Sequence, residues 1–336
     1  MKLLVIRFSS LGDCVLLCPF FAHARRAGAE EIVVLTKRAY ADLFASATGV
    51  DRVIALDGEY AGTRGLLRAG SEFRDSGHVI IDAHASLRSR VVAWRAGGAA
   101  ACIRKHTRER LDLIVFKRAA PLPSMLQRYA ALLEPAGLPA AVLVPGGLTP
   151  GPEATAAARR NLPDHDTIAV APGSRWISKR WTGYTQMCDA LARAGHTILL
   201  VGDAHDRALT APIAERLGDR ALDIAGKMPL MHTAAHIARC RLFVGNDSGL
   251  MHLAEAVGVP VVAAFGPTVE AFGYFPSLPA SRVVERQIAC RPCSRNGSTP
   301  CPRGTHECLT AIAPAAMLET IDHALAGTGP RRVTLR

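Results

Sequence analysis

No run in this 336-residue chain reaches the roughly 18 uncharged apolar residues that a membrane-spanning helix requires, so the protein is expected to be soluble or at most peripheral. A secretory leader is not expected either. The opening stretch MKLLVIRFSSLGDCVLLCPFF is interrupted by Arg7 and Asp13, and no small-residue cleavage site follows it. Without an export signal, the nine cysteines are expected to be reduced thiols in a cytoplasm. Acidic residues are in deficit, 29 against 40 basic ones, which leaves a net charge of +11 and implies an anionic partner, substrate or surface. The chain is neither poor enough in apolar residues for disorder nor biased enough for a coiled coil, at 49% hydrophobic and 21% charged. Its length suits two ordinary domains.

Short β-branched or leucine-rich runs alternate with amphipathic stretches from the first residue. Leu3–Arg7, Glu31–Leu35, Arg52–Leu56 and His78–Asp82 read as buried strands, with helices at about Val15–Ala27, Ala39–Ala47 and Gly62–Arg74. This is the pattern of a parallel sheet covered on both faces. A Leu- and Met-rich helix at Ser124–Glu134 is followed by a concentration of Pro and Gly that marks a linker near residues 143–165. The alternation then restarts, with strands Thr167–Ala171, His196–Val201, Arg241–Gly245 and Val259–Phe265 and helices Thr182–Arg193, His205–Leu217, Leu230–Ala238 and Gly249–Ala256. Two α/β domains follow, 1–150 and 151–336. Ligands of such sheets bind beyond the carboxyl ends of the strands.

Three loops that follow strands carry residues suited to chemistry. Phe8-Ser9-Ser10-Leu11-Gly12-Asp13 opens a helix and lacks the G-x-G-x-x-G spacing of a dinucleotide site; Ser10 and Asp13 serve either as helix caps or as ligand-facing groups. Ala171-Pro-Gly-Ser-Arg-Trp-Ile-Ser-Lys-Arg-Trp181 offers Ser174, loop amides and Lys179 to a phosphate, and Trp176 and Trp181 flanking its basic pair argue against a plain exposed loop. Val244-Gly-Asn-Asp-Ser-Gly-Leu-Met-His-Leu-Ala254 runs from a strand directly into a helix whose first-turn amides, at Ser248, Gly249 and Leu250, would point at an anion. His252 either packs in that helix or donates to the same anion.

Cys290 and Cys293 form a C-x-x-C, followed by Cys301, His306 and Cys308, which leaves zinc, reduced thiols and a labile disulfide open. Between Arg88 and Arg128 lie ten basic residues and two acidic ones, +8 of the net charge. That stretch lacks the pattern of interleaved aromatics that a nucleic-acid stacking platform needs.

The Ser-Ser-Leu-Gly-Asp after the first strand, the Pro-Gly-Ser…Lys-x-Trp loop, Lys-Met-Pro-Leu and Asp-Ser-Gly-Leu-Met-His-Leu-Ala together resemble glycosyltransferase family 9, near its heptosyltransferase II branch. The resemblance covers nearly the whole chain in order. It implies a GT-B fold of two Rossmann-like domains around a cleft, the first for the acceptor and the second for the nucleotide-sugar, with a last helix able to return to the first domain. It implies inverting transfer of heptose from ADP-heptose to the phosphorylated inner core on lipid A, at the inner face of the cytoplasmic membrane, with nucleic acid not a partner. By the same resemblance Asp13 is the general base, with Arg7, Ser9, Ser10 and Gly12 on the acceptor side. Lys179 meets the donor diphosphate with Ser174, Ser248, Gly249, Leu250 and His252, and Asp247 stands at the helix cap. Met228 lines the adenine pocket, and Asp206 touches the ribose, with Asp203 the competing choice. The four cysteines also look like a segment seen in this branch, which weighs against a dedicated zinc site. Inversion needs a base on one face and leaving-group stabilisation on the other, which helix amides and Lys179 could supply without a cofactor or a divalent metal.

Overall fold

A computed structural model describes residues 1–118, 122–162 and 166–335, and the chain divides into two compact units. The first comprises Met1–His106 and Pro123–Thr149. Its five strands are β1 (Lys2–Ile6), β2 (Glu31–Thr36), β3 (Arg52–Ala55), β4 (His78–Asp82) and β5 (Ala101–Cys102), all parallel and in the order β3-β2-β1-β4-β5. Register is set by pairs such as Leu4 with Val33 on one side and Ile80 on the other. Apart from its first residue, β1 is buried throughout, as a central strand covered on both faces must be. Between the strands run α1 (Leu11–Arg26), α2 (Ala41–Ala45), α3 (Gly62–Glu72) and α4 (Leu87–Arg95). One face of the sheet, with Leu4, Ile6, Val33 and Leu35, packs against Leu66, Ala69 and Phe73 of the α3 segment and Val92 and Ala93 of α4.

The strap Thr107–Leu122, whose helix α5 is Thr107–Phe116, groups with the second unit, and the chain returns to the first with α6 (Met125–Ala130). The expected division at residue 150 assigned that strap to the first domain. It also gave all of the basic stretch to one domain. Four of the ten basic residues, Arg108, Arg110, Lys117 and Arg118, and both acidic ones, Glu109 and Asp112, instead belong with the second unit.

The second unit continues from Pro150. It holds α7 (Pro152–Asn161), β6 (Thr167–Ala171), α8 (Tyr184–Arg193), β7 (Thr197–Leu200), α9 (Arg207–Leu217), β8 (Ala221–Asp223), α10 (Leu230–Ile237), β9 (Leu242–Asn246), α11 (Gly249–Ala256), β10 (Val261–Phe265), β11 (Arg282–Arg286), α12 (Glu307–Thr310), α13 (Pro314–Leu325) and β12 (Arg332–Leu335). Seven parallel strands stand in the order β12-β11-β10-β9-β6-β7-β8. The last helix, α13, packs on α8, β10 and β11 of this unit. The expected linker at 143–165 contains α7, because Pro152 occupies a first-turn position where its missing N–H costs nothing; residues 163–165 lie outside the described ones. Trp181, one of the two tryptophans expected to keep its loop from being plainly exposed, is a core residue whose indole N–H donates to the Ile312 carbonyl at 2.9 Å.

Candidate functional site

An open parallel sheet has one place where successive connections leave to opposite faces, and the loops there splay apart above the carboxyl ends of two neighbouring strands. In the first unit this place lies between β1 and β4, and in the second between β6 and β9. All three loops singled out from the sequence leave one of these four strands.

In the first unit, Arg7 directly follows β1 and is buried. Its guanidinium donates to the Ala83 carbonyl after β4 at 2.5 Å and lies 2.7 Å from Asp13 Oδ2. Because α1 begins at Leu11 rather than near Val15, Asp13 stands in its first turn, where Oδ2 also accepts from the Ser10 backbone N–H at 3.2 Å and hydroxyl at 2.8 Å. The cap reading of Asp13 and Ser10 is therefore structurally real. It places the carboxylate at the mouth of the crevice, anchored by a buried cation. Tyr129 donates to the Asp13 carbonyl at 2.9 Å, and Gly12 is buried, Ser9 half-buried and Ser10 exposed.

The loop after β4 supplies a residue that sequence reading missed. Asp82, buried, accepts from the His84 and Ala85 amides at 3.0 and 2.8 Å, and its other oxygen accepts from the Ser89 hydroxyl. This holds the His84 ring 5.2 Å from that of Phe8. Burial, then the charges of Arg7 and Lys105, push His84 down to about 4, and Lys105 is itself held below the usual lysine range by desolvation and by Arg7. The signal was available: a histidine stands two residues beyond a strand end. Only the strand order, which sets β4 beside β1, shows that it shares the crevice with Asp13.

In the second unit, the buried Asn246 at the end of β9 locks the two loops together. Its amide donates to the Pro172 and Gly173 carbonyls at 3.0 and 3.1 Å, and its Oδ1 accepts from the Trp181 backbone at 3.0 Å. Lys179 Nζ reaches Asp247 Oδ2 at 2.5 Å, and Thr268 donates to the same oxygen at 2.6 Å. Burial alone would raise the Asp247 carboxyl, but Lys179 and Thr268 hold it below the ordinary range. Ser248 occupies the N-cap position of α11 without capping it through its side chain, and its buried hydroxyl has no hydrogen-bond partner among the described residues. Gly249 and Leu250 are half-buried in the first turn. His252 is 3% exposed, its ring 6.1 Å from that of Tyr274.

Behind Lys179 lies Gly297, another residue sequence reading missed. Its carbonyl accepts from the Ser178 hydroxyl at 2.5 Å, and a Cβ there would come within 2.8 Å of Lys179 Cγ. The loop carrying Gly297 is pinned by the strap, since Lys117 donates to the Cys290 and Pro292 carbonyls at 3.0 and 2.6 Å and Arg110 to that of Arg295 at 2.9 Å.

Ser174 is buried, its carbonyl taken by Arg180 Nε at 2.8 Å. Asp206 is 8% exposed and packs beneath the loop after β6, where a Cβ on Gly173 would lie 2.0 Å from its Oδ1; burial raises its pKa. Asp203 is exposed and caps the following turn through the His205 amide. Met228 is half-buried between β8 and α10. Cys290, Cys293, Cys301 and Cys308 are free thiols, and no group of three or more Cys, His, Asp or Glu among the described residues could hold a metal ion.

The family model described as glycosyltransferase family 9 (heptosyltransferase) matches residues 73–301. Lipooligosaccharide heptosyltransferase 2 of Haemophilus influenzae is 32% identical over 227 residues, which are 61% of this chain and 63% of that protein's length. Among solved structures, a family 9 glycosyltransferase from Veillonella parvula matches with a TM-score of 0.80 at 22% identity over 97% of this chain and 98% of its own. The ADP-heptose lipopolysaccharide heptosyltransferase II of Escherichia coli matches with a TM-score of 0.74 at 24% identity over 97% and 99%. These structures share the fold, two Rossmann-like α/β units of the GT-B class. No helix among the described residues is long and apolar enough to cross a membrane.

Proposed function

The chain belongs to glycosyltransferase family 9, and from that premise we propose that it is an inverting heptosyltransferase of the type II branch, moving heptose from ADP-heptose to the inner core of lipopolysaccharide. The observation that carries this reading is the pairing of groups at the β6/β9 crevice: Lys179 beside Asp247, and the unpartnered Ser248 hydroxyl at the start of α11. A cation, a free hydroxyl and first-turn amides converging on one spot suit a diphosphate, whose charge grows as the glycosidic bond breaks. Lys179 then moves from Asp247 to the diphosphate, Ser248, Gly249, Leu250 and His252 complete the cradle, and Ser174 and Met228 flank the nucleoside. Asp206 shapes the β6 loop from beneath, and the exposed Asp203 is the better placed of the two for a ribose hydroxyl.

At the β1/β4 crevice, Asp13 takes the proton from the acceptor hydroxyl. Arg7 and Ser10 fix its orientation, and positioning of this kind is worth as much as basicity to a weak base. No covalent intermediate forms, and the fixed amides with Lys179 offset the charge that the leaving diphosphate takes with the electrons of the broken bond, without a bound metal or cofactor. The acceptor is a lipid-borne, phosphorylated sugar, so the protein works as a peripheral protein on the inner face of the cytoplasmic membrane, with no role for nucleic acid.

Transfer is tested by incubating the purified chain with ADP-heptose and a lipid-free inner-core acceptor and weighing the product by mass spectrometry. Lys179→Ala should weaken ADP roughly 10- to 100-fold, as loss of a charge-assisted hydrogen bond does, while AMP changes little. Turnover of a different nucleotide-sugar would relocate the donor. Binding of ADP with no transfer to any acceptor would refute the enzyme reading, and equal losses of ADP and AMP would remove Lys179 from the diphosphate.

A further inference from the structure

Helix α4 leaves the β1/β4 crevice with two unlike faces. Ser89, Val92 and Ala93 are buried in the first unit. On the opposite side Leu87 is 81% and Trp94 71% exposed, with exposed Arg90 and half-buried Val91 between them. Spacings of three, four and seven residues set these four side chains on one stripe. An outward tryptophan and leucine are costly in water and ordinary at a membrane interface, where indole rings sit at the headgroup level.

The charge along this segment has one sign. No acidic residue occurs between Asp82 and Glu109, and within the first unit that interval carries Arg88, Arg90, Arg95, Arg104 and Lys105. Two of these tie the helix in place: Arg95 donates to the Ser71 hydroxyl at 2.8 Å, and the Arg88 guanidinium stands 5.8 Å from the Phe8 ring, the same ring that meets His84. The stripe is thus fixed beside the crevice that holds Asp13.

We propose that this face of α4 seats the first unit on an anionic phospholipid leaflet, Leu87 and Trp94 entering the headgroup layer and the arginines meeting lipid phosphates. The proposal deepens the reading of a membrane-borne acceptor and rests on it. A second copy of the chain is the poorer occupant, because a two-fold contact through this stripe would bring arginines against arginines. An anionic leaflet answers both the apolar pair and the basic residues of this segment.

The test is flotation of the full chain with vesicles of phosphatidylcholine alone or with three parts in ten phosphatidylglycerol. The protein should float with the anionic vesicles, float poorly with the neutral ones, and be released by high salt. Leu87→Ser with Trp94→Ser should lower partitioning at least about tenfold, and Arg90→Glu at least about fivefold, with melting temperature and transfer to a lipid-free acceptor unchanged. Equal binding to both vesicles would overturn the proposal, as would a double variant that floats like the wild type or one that changes only self-association. If the wild type fails to glycosylate even the lipid-free acceptor, the proposed function falls, and the vesicle result still decides the docking face.

Discussion

Replacing Asp13 by Asn separates the two jobs its carboxylate holds. The guanidinium of Arg7 lies 2.7 Å from Oδ2, and both side chains are largely buried, so the gross attraction at an effective dielectric of about 20 is roughly 6 kcal/mol before desolvation is subtracted. Asn keeps an acceptor for Arg7 and for the Ser10 hydroxyl and loses only the charge, which should cost about 1.5 to 3 kcal/mol of stability. Ala strips both and should cost about 3 to 5 kcal/mol, since it leaves a buried cation without its carboxylate. Transfer should fall by about 10² to 10⁴ in the Asn variant if Asp13 is the base. ADP binding should not change, because Lys179, Asp247 and Ser248 belong to the other unit. The assays are kcat at saturating donor, calorimetric titration with ADP, and a urea melt on the same preparation. A kcat within tenfold of wild type would refute the base assignment. So would a loss of activity no larger than the unfolded fraction given by the urea melt, since that would leave Asp13 as a helix cap and nothing more.

Two further outcomes follow from neighbouring residues. Gly297→Ala should weaken ADP more than AMP, because the new methyl would press on the middle of the Lys179 side chain at a backbone φ of +87° that already disfavours alanine; equal effects on both nucleotides, measured by titration, would show that the loop does not position Lys179. His84, pushed down to about 4, is neutral in the folded chain while its unfolded counterpart takes a proton near 6.5. Stability is therefore fully present above pH 6.5 and falls as pH drops from there toward 4. His84→Asn should flatten that loss, and identical falls in melting temperature between pH 7 and 5 for both proteins would refute it.

What could be read in the sequence was local. Thr167–Ala171 and Gly249–Ala256 have the same limits in the structure as in the expectation, because a fully buried parallel strand and a short helix entered through Asp-Ser-Gly each declare themselves within a few residues. The three loops were found for the same reason. Contacts made at long range were not legible. Nothing near His84 says that β4 lies beside β1, and nothing near Gly297 says that Lys179 crosses it. The strap at 107–122 carries no signal that its arginine and lysine will find carbonyls almost two hundred residues away. Composition misled once: the basic stretch looked like one patch, and the fold divides it between two bodies.

That strap has a bearing on how the protein can be taken apart. The backbone passes from one unit to the other three times, after His106, Leu122 and Thr149, so no single cut yields two self-sufficient halves. A fragment ending at residue 150 would carry Arg110 and Lys117 without the carbonyls of Arg295, Cys290 and Pro292 that receive them, and the complementary fragment would lack the donors that pin its Gly297 loop. During synthesis the strap emerges long before its seat exists. It must wait for the last third of the chain, and assembly of the second body is completed by residues made with the first.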